Sequence, residues 1–337
     1  MNVTHGGNVF ETSREHGWDW REVIDFSASI NPLGPPPAVF EAIREALDRI
    51  RHYPEREPSA LRRSLAEAWG VDEAQLLLGN GATELLHWIA RVCPQPVVSL
   101  ATPTFSEFHR AYPLARLVPV SDPQSWPHEG LFILTQPNNP TGAAICPERL
   151  GEWLLGTANP VLIDESFLEF SALPSAARLL ERRPQLWILR SLTKFYALPG
   201  LRIGALLASA EQVRRWRPDR EPWQVNVLAE AAAMAAIADE EFSRRTLDFV
   251  SSERTWLAEQ VASIRGAHPG PSQANYLFVS LDHAAAPLCR HLLEKRILIR
   301  DCTSCPGVDG EAVRIAVRTR AENQRLIATW REFSCAP

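Results

Sequence analysis

The chain has 337 residues, of which 45% are hydrophobic and 22% are charged, and its formal net charge is −5. These values are typical of a globular protein, and the length predicts two domains. The acidic balance and the lack of a long basic run argue against a nucleic-acid partner. The first residues show no signal-peptide pattern, and no apolar stretch is long enough to span a membrane. We therefore expect a cytoplasmic protein without a membrane partner.

The six cysteines are scattered and lack the spacing of a disulfide-linked scaffold. Cys302 and Cys305 have the spacing of one half of a zinc site. However, no second pair of cysteines or histidines lies near them in the sequence, and zinc requires about four such ligands. We therefore expect no bound metal.

From about residue 70 to residue 210, short apolar segments alternate with segments of helical length. The predicted strands are Val97–Leu100, Leu131–Thr135, Val161–Asp164, Trp187–Arg190 and Ala205–Ala208. Their apolar residues are continuous rather than alternating, as in parallel strands that helices cover on both faces. The pattern predicts an α/β fold with a largely parallel sheet, in which functional groups lie on loops at the strand ends.

After about residue 240 the order of predicted elements changes. A long helix (242–264) is followed by shorter strands and helices, which predicts a smaller α+β domain. The first residues are rich in Gly and Pro and are predicted to form an arm that belongs to the small domain. The predicted division is an arm at 1–37, a large domain at 38–235 and a small domain at 236–337.

One segment combines a lysine, two hydroxyl residues and an arginine: Ser191, Thr193 and Lys194, with Arg202 after a glycine-containing turn. A lysine can supply the amine of a Schiff base to a phosphorylated aldehyde, and the other three side chains can bind its phosphate. A solvated surface loop is the simpler explanation of this segment when it is considered alone. Its interpretation therefore depends on the other loops.

Two further loops allow both a structural and a functional interpretation. The Gly-Asn-Gly turn before Ala82 and Thr83 either caps a helix or brings backbone amides close to an anion. Phe105 and Phe108 follow a predicted strand, and an aromatic residue there either packs in the core or stacks on a flat ring.

The ends of the next two strands carry polar side chains. Asn139 lies in a Pro-Asn-Asn-Pro-Thr-Gly turn and is either a turn former or a hydrogen-bond donor to a ring oxygen. Asp164 ends an apolar strand and either caps the next segment or holds a pyridine nitrogen protonated. Because five loops at successive strand ends carry the groups that one cofactor needs, the functional interpretation is favoured.

In these motifs the chain resembles the fold-type I pyridoxal-phosphate enzymes of the class I/II aminotransferase superfamily. The resemblance covers nearly the whole chain and implies a large domain with a mostly parallel seven-stranded sheet, a smaller α+β domain and pyridoxal 5′-phosphate as cofactor. It implies Lys194 as the Schiff-base lysine, Asp164 as partner of the pyridine nitrogen, Asn139 on the ring oxygen O3′, Phe108 stacked on the ring, and Ala82, Thr83, Ser191, Thr193 and Arg202 around the phosphate.

Two details refine this resemblance. In relatives, the tyrosine of a Tyr-Pro pair reaches the phosphate of the neighbouring subunit, so Tyr53 implies a homodimer. Aminotransferases of this group usually carry a tyrosine where this chain has Phe167, and a phenylalanine cannot donate to O3′. This difference weakens an aminotransferase assignment.

Residues near both ends of the chain form a second set, which is similar to that of the L-threonine O-3-phosphate decarboxylases of cobalamin biosynthesis. The set implies a phosphorylated amino-acid substrate that contacts His5, Asn31, Arg300 and Arg314. The guanidinium groups suit the phosphate and carboxylate of such a substrate. The related histidinol-phosphate aminotransferases are the alternative, and a cofactor-binding regulator without turnover is a weaker one.

Overall fold

The computed structural model describes residues 6–121 and 126–335. Within these residues, thirteen strands form three sheets. The strands are β1 (Ile24–Asp25), β2 (Leu76–Gly79), β3 (Val98–Thr102), β4 (Arg116–Pro119), β5 (Leu131–Thr135), β6 (Val161–Asp164), β7 (Leu186–Ser191), β8 (Gly204–Leu207), β9 (Ala267–Pro269), β10 (Tyr276–Leu281), β11 (Ile297–Leu298), β12 (Arg300–Asp301) and β13 (Ala312–Ala316).

The described chain contains twelve α-helices, and several of them separate consecutive strands of the large sheet. They are α1 (Val9–His16), α2 (Pro37–Ala46), α3 (Ser59–Trp69), α4 (Ala82–Val92), α5 (Ser106–Ala111), α6 (Pro147–Gly156), α7 (Leu192–Phe195), α8 (Ala210–Trp216), α9 (Val227–Ile237), α10 (Glu240–Ala262), α11 (Ala285–Glu294) and α12 (Arg320–Cys335). Side-chain caps define where several of them begin. Asn226 and Asp239, for example, each accept a hydrogen bond of 2.8 Å from a backbone amide in the first turns of α9 and α10.

The large sheet has the strand order β2-β8-β7-β6-β5-β3-β4. Strands β4, β3, β5, β6 and β7 are parallel, whereas β8 is antiparallel to both of its neighbours. The parallel strands therefore end at one edge of the sheet, and β8 begins at that same edge, with Gly204 opposite Ser191. This edge collects the loops that the sequence predicts to be functional.

The sheet is buried on both faces, which explains why its strands are continuously apolar. In β5, Phe132 and Leu134 belong to the core on one face, while Leu131 and Ile133 belong to the core on the other. Successive side chains of a strand point to opposite faces, so each apolar residue finds a packing partner only if helices cover both sides. This packing fixes the positions of the strand ends.

The smaller unit contains a four-stranded antiparallel sheet with the order β12-β13-β10-β9. It packs its own apolar core against α10, α11 and α12, with Trp330 fully buried. The N-terminal segment joins this unit, because β1 pairs in parallel with β11 and Phe26 lies in the same core.

The predicted fold class is confirmed: the chain has an α/β fold with a mostly parallel seven-stranded sheet. The five predicted strands are present with small shifts at their boundaries, while β2 and β4 were not predicted. The reversed direction of β8 was not predicted either. The domain limits at residues 37 and 235 stay predictions.

Candidate active site

A cleft of about 770 Å³ lies at the edge where the parallel strands end. Open α/β sheets bind ligands at this edge, because the loops that follow the strands converge there. The N-terminal segment and the strands β12 and β13 complete the wall. The predicted site residues that line the cleft are Ala82, Thr83, Asn139, Asp164, Ser191, Thr193, Lys194, Arg202, Arg300 and Arg314.

Lys194 lies in α7, a one-turn helix that begins directly after β7. The Ser191 hydroxyl caps this helix by accepting a hydrogen bond of 3.3 Å from the Thr193 amide, and its oxygen lies 2.7 Å from Thr193 Oγ1. The Lys194 Nζ donates to the same Thr193 oxygen at 2.9 Å. The three side chains therefore form one hydrogen-bonded chain at the end of β7.

Burial makes Lys194 more reactive than a surface lysine. It lowers the pKa of the ammonium to about 8; nearby Asp164 opposes this effect, and Arg202 and Arg314 add to it. A lower pKa increases the neutral fraction of the amine near neutral pH, and the neutral amine is the nucleophile. Lys194 is therefore suited to attack a carbonyl group.

Asp164 ends β6 and faces the cleft beside Lys194. Burial raises the pKa of its carboxyl, while a hydrogen bond of 2.8 Å from the Ser166 amide and the charge of Lys194 oppose the rise. A carboxylate in such surroundings gains stability from a cationic partner that enters the cleft. Asp164 can therefore hold a protonated ring nitrogen.

The start of α4 and Arg202 form a concave anion site. Gly81 has a left-handed backbone (φ 87°), and a Cβ there would come within 2.6 Å of Arg202 Nη2. Gly204 lies so close to the Ala82 amide that a Cβ added to Gly204 would be 2.5 Å from that nitrogen. The glycines therefore let the α4 N-terminus, Thr83 and the guanidinium converge, as a phosphate requires.

Arg300 and Arg314 lie directly opposite each other on β12 and β13. Arg300 is 9% exposed and Arg314 is half-buried, and both line the cleft. In the described part of the chain, no carboxylate forms an ion pair with either guanidinium. Like charges that face each other across a strand pair are destabilising, so this arrangement favours a bound anion between them.

Arg314 also connects the cleft's separate walls. Its Nη1 donates to Asn139 Oδ1 at 2.5 Å and its Nη2 donates to the Ser27 carbonyl at 3.0 Å. The bond to Asn139 occupies the oxygen of that amide and leaves its NH₂ group to act as a donor within the cleft. Asn139 can therefore donate to a ring oxygen, and this role stays a prediction.

The predicted ring-stacking residue needs a correction. Phe108 is fully buried in the core on one face of the sheet and is not among the described residues that line the cleft. Phe105 lines the cleft instead and packs edge-on against Phe108, with ring centroids 6.0 Å apart. The reason is that Phe105 precedes α5 with an extended backbone, whereas Phe108 lies on the face of α5 that packs on the sheet.

Asn31 has a different role from the predicted substrate contact. Its Nδ2 donates to the Phe195 carbonyl at 2.7 Å and to Thr246 Oγ1 at 2.9 Å, and its Oδ1 accepts from the Leu33 amide at 3.1 Å. Its own amide donates to the Lys194 carbonyl at 3.0 Å. Asn31 is thus fully bonded below α7, where it positions the lysine and does not line the cleft.

Two other predicted residues are not among those that the structure places in the cleft. His5 lies outside the described residues. Tyr53 is 80% exposed and stacks on Trp223, with ring centroids 4.6 Å apart. Its exposure is compatible with a contact to a second subunit, and that role stays a prediction.

Sequence reasoning missed several polar residues of the cleft, including two buried hydroxyl residues. Ser29 and Thr104 are 3% and 0% exposed, both line the cleft, and neither hydroxyl has a hydrogen-bond partner within residues 6–121 and 126–335. The Nε of Arg314 is also buried without a partner. A buried polar group without a partner costs about 1–3 kcal/mol, so the three atoms indicate where a polar ligand binds. No sequence motif distinguishes them from ordinary loop residues.

Two of the expected absences concern metals and membranes. Among residues 6–121 and 126–335, no cluster of His, Cys, Asp and Glu side chains could hold a metal ion. No helix of the described chain has the length and apolar character needed to cross a membrane. The cytoplasmic location stays a prediction.

Comparisons with known proteins agree with this geometry. Residues 21–329 match the family described as Aminotransferase class I and II. A threonine-phosphate decarboxylase from Salmonella typhimurium is 33% identical, over 98% of this chain and 96% of that protein. A histidinol-phosphate aminotransferase from Moorella thermoacetica is 32% identical, over 97% and 89%.

The fold is likewise similar to that of a solved structure. The histidinol-phosphate aminotransferase from Sinorhizobium meliloti in complex with pyridoxal-5′-phosphate has a TM-score of 0.85 and 25% sequence identity to this chain. The similarity covers 99% of this chain and 95% of that one. The relatives thus share a fold and carry two different activities at nearly equal identity.

Proposed function

We propose that this chain, which belongs to the class I and II aminotransferase family and is a pyridoxal-phosphate-dependent enzyme, decarboxylates L-threonine O-3-phosphate. The products are (R)-1-aminopropan-2-yl phosphate and CO₂, and the reaction belongs to cobalamin biosynthesis. The similarity to the threonine-phosphate decarboxylase from Salmonella typhimurium supports the proposal, as does the positive charge of Arg300 and Arg314 in the cleft.

The residues of the cleft fit pyridoxal 5′-phosphate. The Gly81–Arg202 cradle at the start of α4 suits the phosphate, because added Cβ atoms would fill it. Lys194 suits the aldehyde, Asp164 the ring nitrogen, and the free amide NH₂ of Asn139 the ring oxygen. When bound, the cofactor draws electrons from whichever bond of the substrate Cα stands perpendicular to its ring.

The residues around the cofactor would transfer protons at the substrate Cα and hold the cofactor ring in place. Lys194 would accept a proton at the substrate Cα as the neutral amine, or return one as the ammonium, and Thr193 Oγ1 orients its nitrogen at 2.9 Å. Asp164 would keep a proton on the ring nitrogen, because its half-buried carboxylate would be stabilised by the resulting positive charge. These roles are common to decarboxylation and transamination.

The observation that carries the substrate proposal is the facing pair Arg300 and Arg314. The pair lacks a carboxylate partner within the described chain and therefore provides positive charge beyond what the cofactor phosphate needs. L-Threonine O-3-phosphate brings both a carboxylate and a phosphate, and guanidinium groups bind such oxyanions with two hydrogen bonds each. Anchoring these anions fixes which Cα bond stands perpendicular to the ring.

Phe167 favours decarboxylation over the alternative, histidinol-phosphate transamination. It lines the cleft next to Asp164, but its ring has no hydroxyl and packs edge-on against Tyr276 at 5.0 Å. The Tyr276 hydroxyl does not replace the missing donor, because it donates to the Asn138 carbonyl at 2.7 Å. The cleft thus lacks the usual tyrosine of the aminotransferases at this position.

Product analysis tests the proposal. Purified enzyme with pyridoxal phosphate is given L-threonine O-3-phosphate in one reaction, and histidinol phosphate with 2-oxoglutarate in another. We expect CO₂ and aminopropanol phosphate from the first reaction and little glutamate from the second. Glutamate formation without CO₂ release would establish the aminotransferase instead.

We also propose that the protein is a homodimer in which Tyr53 reaches the cofactor phosphate of the neighbouring subunit. Tyr53 and Trp223 form an exposed stacked pair, and Phe40, Leu47 and Ile50 are also exposed large apolar residues. Exposed apolar residues of this size favour a protein interface when they are contiguous.

A further inference from the structure

The loop between β12 and β13 places two cysteines in the wall of the cleft. Cys302 and Cys305 both line it, beside Arg300 and Arg314. Neither thiol has a role in the proposed reaction, and both are free. The pair therefore requires a separate explanation.

The backbone of this loop holds the two cysteines at the distance that a disulfide needs. The Cys305 amide donates to the Cys302 carbonyl at 2.9 Å, which closes a four-residue turn. Such turns bring their first and last Cα atoms within about 7 Å, and disulfides span roughly 4.4–6.8 Å between Cα atoms. The Cys302 thiol donates to the Arg300 carbonyl, with 3.8 Å between Sγ and the oxygen, so it lies at the same strand end as the anion pocket.

We propose that Cys302 and Cys305 form a reversible disulfide in the wall of the substrate cleft, through exchange with an oxidised low-molecular-weight disulfide. Cys305 attacks one sulfur of that reagent, breaks its S–S bond and releases one small thiolate. Cys302 then loses its proton and attacks the Cys305 sulfur, which releases the second small thiol. The two protein thiols thus lose two electrons and two protons, and the reagent gains them.

The two cysteines differ in the way this sequence of steps requires. Cys302 is 0% exposed, whereas Cys305 is partly exposed at the cleft. The mutual interaction of the two thiols lowers the pKa of Cys305 and raises the pKa of Cys302, and the positive charge of Arg300 further lowers the pKa of Cys305. The accessible thiolate is therefore the nucleophile and the buried thiol resolves the mixed disulfide.

Disulfide formation changes the substrate side of the cleft. The Cys305 thiolate shares its negative charge with Arg300, and a disulfide removes that charge from the anion pocket. The same loop touches the large sheet, because the Pro306 carbonyl accepts from the Thr104 amide at 3.1 Å and Gly307 packs against Thr102 without room for a Cβ. The pair thus lies where the small unit meets the large one.

Peptide mass mapping of the holoenzyme tests the proposal. The enzyme is incubated with oxidised glutathione, remaining thiols are alkylated, and the protein is cut with trypsin. Cleavage after Arg300 and Arg314 yields one peptide that contains Cys302 and Cys305 and no other cysteine. We expect this peptide to lose two hydrogen atoms, and dithiothreitol to restore its original mass.

Matched variants separate this chemistry from general oxidation. Cys302→Ser should accumulate a stable glutathione adduct on Cys305, and Cys305→Ser should leave Cys302 unmodified because it is buried. Cys146→Ser, at an exposed thiol outside the cleft, should behave like the wild type in this peptide. The proposal is overturned if the wild-type peptide keeps both thiols while Cys146 becomes glutathionylated, or if Cys302→Ser acquires no adduct. These readouts do not depend on which substrate the enzyme uses.

Discussion

At the scale of single residues, Lys194 is set apart by its surroundings and also by its rarity. The chain contains only one other lysine, Lys295, which is exposed. Any chemistry that requires a primary amine on a side chain therefore has two candidates, and only Lys194 lines the cleft.

Borohydride reduction of the holoenzyme should attach a pyridoxyl group to Lys194 and leave Lys295 unlabelled, because only the former amine meets the cofactor. Peptide mapping by mass spectrometry measures the label. Lys194→Ala should lose the label and lower kcat by at least about 10²–10⁴-fold, since it removes the proton-transferring group. Lys295→Ala is the control and should retain both. Labelling of Lys295 in the wild type would contradict the assignment.

The pH dependence of cofactor loading should report the lowered pKa of Lys194. As pH rises through about 8, the ammonium loses its proton and the neutral nucleophile accumulates. The rate at which apoprotein captures pyridoxal phosphate should therefore rise about tenfold per unit below pH 8 and level off above it. Stopped-flow absorbance measures this rate.

Asp164→Asn offers the matched comparison for this pH profile. Asp164 raises the pKa of Lys194, so its neutralisation should move the midpoint of the loading profile to lower pH. A wild-type rate that continues to rise up to pH 10 would show that the amine behaves as an exposed lysine.

At the scale of elements, the register of β12 against β13 determines the proposed substrate pocket, because it places Arg300 opposite Arg314. Arg300→Gln should raise KM for L-threonine O-3-phosphate by about 10- to 100-fold, as expected when a hydrogen bond to a charged group worth roughly 1.5–3 kcal/mol is lost. Initial-rate kinetics measure the effect. Arg214→Gln, on the exposed face of α8, is the control. An unchanged KM in Arg300→Gln would remove Arg300 from the substrate site.

The short helix α7 depends on Asn31 for its position, because Asn31 ties it to the N-terminal segment and to α10. Asn31→Ala should lower the free energy of unfolding by about 2–4 kcal/mol, since it leaves buried partners without hydrogen bonds. Urea denaturation measures this value. Asn80→Ala, at an exposed turn residue, should change it by less than about 0.5 kcal/mol. Equal effects of the two substitutions would show that Asn31 has no anchoring role.

The elements also show what the sequence could and could not predict. Strands buried on both faces, such as β5 and β6, were predictable because their apolar residues are continuous. The direction of β8 could not be predicted, because it depends on the path of the connecting chain. A short apolar segment has the same pattern whether the strand is parallel or antiparallel to its neighbours. Lys194 and Asp164 were predicted from their residue types and their positions at strand ends, and the structure places both in the cleft. The sequence did not distinguish the roles of Phe105 and Phe108, because both follow the same strand. Only the packing shows that Phe105 lines the cleft and that Phe108 lies in the core.

At the scale of the whole molecule, a homodimer should be visible in solution. Light scattering should give about twice the mass of the 37.7 kDa chain. Tyr53→Phe should keep this mass but weaken pyridoxal-phosphate binding by about 10- to 100-fold, because the lost hydroxyl donates to a charged phosphate. Tyr196→Phe, at a buried tyrosine of the large core, is the control for cofactor affinity. A monomeric mass would contradict the proposed arrangement.

Arg314 connects two parts of the cleft, and this connection affects how tightly each ligand binds. Its guanidinium contacts Asn139, the proposed partner of the cofactor ring, and Ser27 on the N-terminal segment, while its strand carries the proposed substrate pocket. Two ligands that share one protein side chain have coupled affinities, and this coupling is reciprocal. If a substrate anion fixes Arg314 so that Asn139 is better oriented, the cofactor binds more tightly by some factor, and the loaded cofactor strengthens substrate binding by that same factor. Through Arg314, the affinity for the cofactor and the affinity for the substrate would therefore depend on each other.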